Sequence, residues 1–258
     1  MEIGICSYSF HRLLEAGKQD MFQYIVDCKK LGCTQLDPWN EHFLSTDDTY
    51  IAKVKEAAKR VELPFGLIAV DGGHIHEPTP EARAQKRRTA YHWIEVARKL
   101  GARQIRLDAG GSAAMPAEEF EIILEGFEDL KKKCREAGVE LVMENHFGAS
   151  VIPQNVVRIC EKTGIGLLMD AFNWAKGREA EGWLKCAKFA RACHIKTFAF
   201  TDEGEELTIN VGSFVRLMKR AGYRGAWGVE SVPIDGDELE AAKKTIDLIR
   251  KYVAEPLR

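Results

Sequence analysis

The sequence predicts an α/β fold, a single (β/α)8 TIM barrel spanning residues 1–258. Three observations lead there. Eight short apolar runs alternate with longer amphipathic segments, at a spacing suited to repeated strand–helix units. Glycine recurs where the amphipathic segments stop, at Leu31-Gly32, Leu100-Gly101, Ala137-Gly138, Thr163-Gly164 and Ala221-Gly222, as expected of helix ends that close in a left-handed turn. The length, 258 residues, is that of an ordinary barrel, about 250.

Along the chain, the strand runs start near Ile3, Thr34, Phe65, Arg103, Glu140, Ile165, Ala192 and Ala226. Each has the length of a short strand, about four to six residues. Asp20 caps a helix that ends at Leu31. Thr49 opens one that runs to about Arg60. Thr79 to Leu100 reads as a long helix with Pro80 in its first turn, where proline is favoured. Further helices are expected over Ala117–Ala137, Ile152–Thr163, Glu179–Lys188, Val211–Ala221 and Asp237–Ala254. An open doubly wound sheet would need fewer strands and a glycine-rich turn after the first. Here the first strand runs into Ser7-Tyr8-Ser9-Phe10-His11. No low-complexity linker suggests a second domain.

Composition narrows the function classes. Lys plus Arg number 37 against 39 Asp plus Glu, a formal net charge of -2. That balance gives no electrostatic footing for nucleic acid. No stretch is long and apolar enough for a membrane span, and the N-terminus carries no signal-peptide pattern. The seven cysteines are an odd count without CxxC spacing, and read as reduced, mostly buried thiols of a cytoplasmic protein.

In a barrel the active site forms at the C-terminal strand ends. Of the last four runs, three end at Glu144, Asp170 and Glu230, and the seventh carries His194. Side chains alternate along a strand. If these four face the barrel interior, Met143, Met169, Cys193 and Val229 face the helices, and all four of those are apolar. A buried charge is costly unless paired or metal-bound. Three carboxylates and an imidazole make an oxygen-rich donor set. It suits one divalent ion, Mn2+ or Mg2+ before Co2+ or Zn2+. The competing reading is internal ion pairing with Arg106, Lys196 or Arg103.

The strings Met143-Glu-Asn-His-Phe147, Met169-Asp-Ala-Phe-Asn173, His194-Ile-Lys196 and Gly228-Val-Glu-Ser231 resemble the xylose-isomerase-like barrel superfamily of sugar and sugar-phosphate isomerases and epimerases. So do Ser7–Phe10 and Arg106–Gly111. The resemblance covers nearly the whole chain in order. It implies that Glu144, Asp170, His194 and Glu230 hold one divalent metal. It further implies that Glu144 and Glu230 move the proton while Asp170 and His194 only ligate. Asn173 stands where such epimerases often have a histidine, and Asp37 where they often have a glutamate, so the sugar is left open. The chemistry expected is proton transfer next to a carbonyl through a metal-stabilised enediolate, giving epimerisation or aldose–ketose isomerisation. A dehydratase acting on a keto-inositol or related polyol, and a non-catalytic sugar-binding barrel, are the alternatives. A DNA-repair endonuclease of the same superfamily would need more rim histidines and a basic groove.

Further candidates surround these. His146 contacts substrate, orients the metal site or packs its loop. Lys196 neutralises an oxyanion, binds a phosphate or pairs with a ligand carboxylate. Arg106 holds a substrate anion or balances the carboxylates. Trp39, Trp174, Phe10 and Phe198 follow strands and either wall a pocket or pack. His74 and His76 flank Ile75 in a loop, with His76 a substrate contact at most. Asn173 is expected near substrate. Gly110-Gly111-Ser112 either cradles a phosphate or makes a tight turn. The expected partner is a small sugar-like molecule, with neither nucleic acid nor membrane; a homo-oligomer is compatible with the sequence.

Overall fold

The structure, a computed structural model, describes residues 1–256. Seven strands form one parallel sheet: β1 (Ile3–Ile5), β2 (Leu67–Ala69), β3 (Gln104–Arg106), β4 (Glu140–Glu144), β5 (Gly166–Asp170), β6 (Ala190–Thr197) and β7 (Trp227–Ser231). Their order is β1-β7-β6-β5-β4-β3-β2. Around them run α1 (His11–Glu15), α2 (Met21–Lys30), α3 (Asp48–Arg60), α4 (Pro80–Leu100), α5 (Ala117–Ala137), α6 (Pro153–Thr163), α7 (Glu179–Cys186), α8 (Val211–Arg220) and α9 (Glu238–Ala254).

The second expected strand, near Thr34, is the exception, and it sits where the barrel closes between β1 and β2. Residues 34–37 make isolated bridges, Cys6 to Asp37 and Leu36 to Phe65. The backbone N–H of Leu36 donates to Pro64 O (2.9 Å) and that of Gly66 to Leu36 O (2.8 Å). A regular ladder fails because side chains take backbone positions. Asp37 Oδ1 accepts from the Leu67 N–H (2.9 Å) and from Gln35 Nε2 (2.7 Å). Glycines on both neighbours make room. A Cβ on Gly4 would lie 1.9 Å from Asp37 Oδ2, and one on Gly66 would lie 2.1 Å from Gln35 Nε2.

The helices follow their sequence signals. Thr79 accepts from Ala82 N at 3.2 Å ahead of Pro80. Helix α4 ends at Gly101 with φ 76°, a conformation costly for any residue with a Cβ. Helix α3 starts at Asp48, capped by Asp47, one residue before the expected Thr49. Helix α7 stops at Cys186 and a 3-10 turn, Ala187–Phe189, finishes the segment. The short α1 was not legible in the hydrophobic pattern.

The core has two layers, as alternation in a barrel requires. Cys6, Leu67, Ala69, Val142, Leu168 and Ala192 pack inside the sheet. Met143, Met169, Cys193 and Val229 belong to the larger cluster between sheet and helices. Their strand neighbours Glu144, Asp170, His194 and Glu230 therefore point inward, at the top of the interior. All seven cysteines are free and buried. Among the described residues no helix is long and apolar enough to cross a membrane.

Candidate active site

Glu144 closes β4, Asp170 closes β5, His194 lies on β6 and Glu230 on β7. The β5–β6 register pairs Asp170 with His194, and the β6–β7 register pairs Lys196 with Glu230. Glu144 pairs with Leu168, so Glu144 and Glu230 are each offset by two residues from the Asp170–His194 pair. One donor atom from each of Glu144, Asp170, His194 and Glu230 lies within 4.8 Å of the others, and all four residues are buried.

His194 Nδ1 lies 2.8 Å from Glu230 Oε2 and 3.4 Å from Glu144 Oε1, yet forms no well-directed hydrogen bond. Asp170 Oδ1 accepts from the N–H groups of Phe172 (2.7 Å) and Asn173 (2.8 Å). Its Oδ2 is buried without a hydrogen-bond partner. An orphaned carboxylate oxygen and a ring nitrogen set between two carboxylates place four ligand atoms close together. Hard oxygen donors with one imidazole fit a divalent ion. The residues present therefore fit the metal that the sequence leads one to expect.

Two cations bind the outward oxygens of the glutamates. Arg106 Nε lies 2.9 Å from Glu144 Oε2, and Lys196 Nζ lies 3.0 Å from Glu230 Oε1 and 3.7 Å from Asp170 Oδ2. Lys196 also donates to Asn173 Oδ1 at 2.9 Å. Arg103 is not part of this set; it pairs with Glu2 at 3.1 Å.

The electrostatics follow from burial and neighbours. Burial raises the carboxyl of Asp170 to about 6, helped by the charges of Glu230 and Glu144 and opposed by Lys196. For Glu230 burial also raises, but Lys196 and His194 outweigh it and the carboxyl is held well below the ordinary range. Burial works against Glu144 ionising, and Arg106 and His194 reverse it, so its pKa is lowered. His194 pays for burial, but the flanking glutamates lift it to about 10. The same contest of burial against Asp108 and Glu144 leaves His146 at about 9.

Above the quartet is a cavity of about 190 Å³. Arg106, Glu144, His146, Lys196, Glu230 and Trp39 line it, together with Cys6, Tyr8 and Asp71. Asn173 reaches it through Lys196. His76 does not line it: its backbone bridges Gly110, with its N–H donating to Ala109 O at 2.9 Å. Trp174 and Phe10 are buried in the outer core.

Three contributors escaped the sequence. Tyr8 stands on the 3-10 turn Ser7–Phe10 and meets Trp39 edge-on, at 5.1 Å between ring centroids. Asp71 and Asp108 each lie 2.8 Å from Arg106 Nη1. Asp71 also accepts from Trp39 Nε1 (2.9 Å), and Asp108 Oδ2 lies 3.2 Å from His146 Nδ1. Both aspartates directly follow strand-like runs, so the rule that found Glu144 could have found them.

The model of the xylose isomerase-like TIM barrel family matches residues 25–252. The chain belongs to that family. Solved structures of the same fold include a D-allulose 3-epimerase from Methylomonas sp., with TM-score 0.78, 14% identity and 98% coverage of each chain. The 3-keto-D-glucoside 4-epimerase of E. coli has TM-score 0.77 at 13% identity, covering 97% of this chain and 99% of that one. A probable 3-DHS dehydratase from Bacillus anthracis has TM-score 0.74 at 11% identity, with 97% and 99% covered. No curated protein matches the sequence.

Proposed function

We propose that the chain is a divalent-metal-dependent isomerase or epimerase of a small sugar or keto-sugar, with Mn2+ or Mg2+ at Glu144, Asp170, His194 and Glu230. The observation that carries this is the convergence of those four donors, one carboxylate oxygen of them unpartnered, with Glu144 and Glu230 lining a polar cavity. The reactions named for the structural relatives, two epimerisations and a dehydration, are of the kind such a site supports.

A divalent ion in the quartet supplies Lewis acidity toward a carbonyl oxygen next to the carbon that loses its proton. The chain's own groups do the rest. Glu144 and Glu230 are the proton-carrying pair. Each has one oxygen turned to the common centre and the other against a cation, Arg106 or Lys196. The cations lower the basicity of both carboxylates, so proton removal needs a substrate whose acidity the bound ion has raised. Lys196 also stands where it can donate to a developing oxyanion. Trp39 and Tyr8 offer ring faces to the sugar's C–H surface, and His146, steadied by Asp108, offers its second ring nitrogen to a hydroxyl.

The test is a screen of ketoses and keto-inositols with manganese-loaded protein in deuterated water, followed by NMR. Deuterium at the carbon next to the carbonyl, with an inverted or isomerised product, is the expected result. Loss of a hydroxyl would move the assignment to a dehydratase. Metal binding without exchange in any compound would leave a binding barrel and refute the enzyme reading.

A further inference from the structure

We infer that the substrate is an uncharged polyhydroxylated carbonyl compound, carrying neither phosphate nor carboxylate. This rests on the proposed reaction and names its substrate class.

Each basic group in the cavity already faces a carboxylate of the chain. Among the described residues its lining holds Arg106, Lys196 and His146 as cations. Arg106 is 95% buried at its side chain and already meets Asp71, Asp108 and Glu144 within 2.9 Å, besides donating to Val70 O. Lys196 is held by Glu230, Asp170 and Asn173. His146 faces Asp108. A substrate phosphate would have to share these cations with the carboxylates they already hold, and displacing one would leave a buried carboxylate unpaired at high cost.

Charge counting agrees. Asp71, Asp108, Glu144, Asp170 and Glu230 contribute five negative charges to this connected set. Arg106, Lys196 and a divalent ion contribute four positive ones. The loaded site is then at −1 before any substrate enters. A phosphate dianion would bring two more negative charges against Asp71, Glu144 and Glu230. Hydroxyl groups suit such a lining, because a carboxylate accepts from them. Asp71, whose side chain is 40% exposed, is placed to do so.

The glycine turn after β3 is also filled from within. Gly110 and Gly111 take positive φ, 69° and 72°, in succession, the kind of turn that gathers N–H groups around an anion. The carboxylate of Glu119 occupies it. It accepts from the Ser112 N–H and, at 3.0 Å, from Ser112 Oγ. A Cβ on Gly111 would lie 2.2 Å from Glu119 Oε1. The segment the sequence offered as a phosphate cradle therefore already holds the chain's own anion.

The experiment compares free ketohexoses with their 1- and 6-phosphates on manganese-loaded protein, by calorimetry and by deuterium exchange from solvent. Free sugars should bind and exchange, and the matched phosphates should bind at least about tenfold more weakly. Equal or tighter binding of a phosphate would overturn the inference while leaving the isomerase reading intact. Failure of both sets to bind would overturn the isomerase reading and the inference with it. Asp71→Asn removes one lining charge with little change of size. It should narrow the preference for free over phosphorylated sugar at least about threefold. An unchanged ratio would show that the lining's charge does not select the substrate.

Discussion

Asp170→Asn separates the ligand role of this carboxylate from its role in the fold. The wild-type Oδ1 is committed to the N–H groups of Phe172 and Asn173, and an asparagine oxygen can keep both bonds. The amide nitrogen must then replace Oδ2, the oxygen without a hydrogen-bond partner. It cannot ligate a cation, and it sits toward Lys196 Nζ, 3.7 Å from the oxygen it replaces. Changing a residue behind a metal's ligands already costs about 10–100-fold in affinity, so losing a ligand should cost at least about a hundredfold. With Mn2+ at a hundred times the wild-type Kd, the native state gains about 2.7 kcal/mol. At that concentration the variant gains RT ln 2, about 0.4 kcal/mol. For a chain of this size the ion should raise the wild-type Tm by about 5–10 °C and the variant's by about 1 °C. The metal-free variant should unfold within about 1 kcal/mol of wild type, since its backbone bonds survive. Thermal unfolding with and without Mn2+, beside elemental analysis of both proteins, gives the answer. A manganese-induced rise as large in the variant as in wild type would refute the assignment of Asp170 as a ligand.

Glu144→Gln and Glu230→Gln each keep a ligand oxygen and remove the base. Each should lower turnover at least about a hundredfold and abolish solvent-hydrogen exchange more completely than metal binding; exchange at the wild-type rate in both would exclude the pair as proton carriers. Gly66→Ala places a Cβ 2.1 Å from Gln35 Nε2 and 2.5 Å from Asp37 Oδ1. It should destabilise the chain by about 1–3 kcal/mol in urea unfolding, and an unchanged midpoint would mean that the closure there yields freely. His42 is buried, and desolvation pushes its imidazole down to about 4 from the ordinary 6.5. The unfolded chain then takes up a proton that the fold refuses, so stability is full above pH 6.5 and is lost as pH falls toward 4, by up to about 3 kcal/mol. In His42→Phe, comparison of unfolding at pH 7 and 4.5 should show that part of the acid loss removed; an identical loss would place the acid sensitivity elsewhere.

The quartet was legible because a strand has a strict period and burial of charge is expensive. Glu144, Asp170, His194 and Glu230 each follow an apolar residue that faces the helices, so the phase of the strand aims them inward. The second strand misled for the converse reason. Its alternation is real, but Gln35 and Asp37 point their polar ends into the seam beside Gly4 and Gly66 and take over backbone partners, which no periodicity displays. Asp71 and Asp108 stand at strand ends where the same rule would have found them, and Arg106 on β3 joins them across two loops. The Gly110-Gly111-Ser112 turn looked like an anion cradle and is one in shape. Only the fold brings Glu119, from the first turn of α5, into it.

Ion pairing and metal binding stood in the sequence as competing explanations for the same four residues. The geometry shows the two side by side: Arg106 and Lys196 each take one oxygen of a glutamate, while the four side chains also converge on one another. Glu144 gives Oε2 to Arg106 and turns Oε1 to His194; Glu230 gives Oε1 to Lys196 and turns Oε2 to His194. A carboxylate buried at the top of a barrel must be compensated in every state of the protein, including before an ion enters. Arg106 and Lys196 supply that compensation through one oxygen of each glutamate, and the other oxygen lies beside His194. Because both cations sit on strands, β3 and β6, they hold the glutamates in place with no loop movement required. A lysine or arginine at such a position is therefore weak evidence against a metal site, and the pattern of which oxygen it takes is what decides.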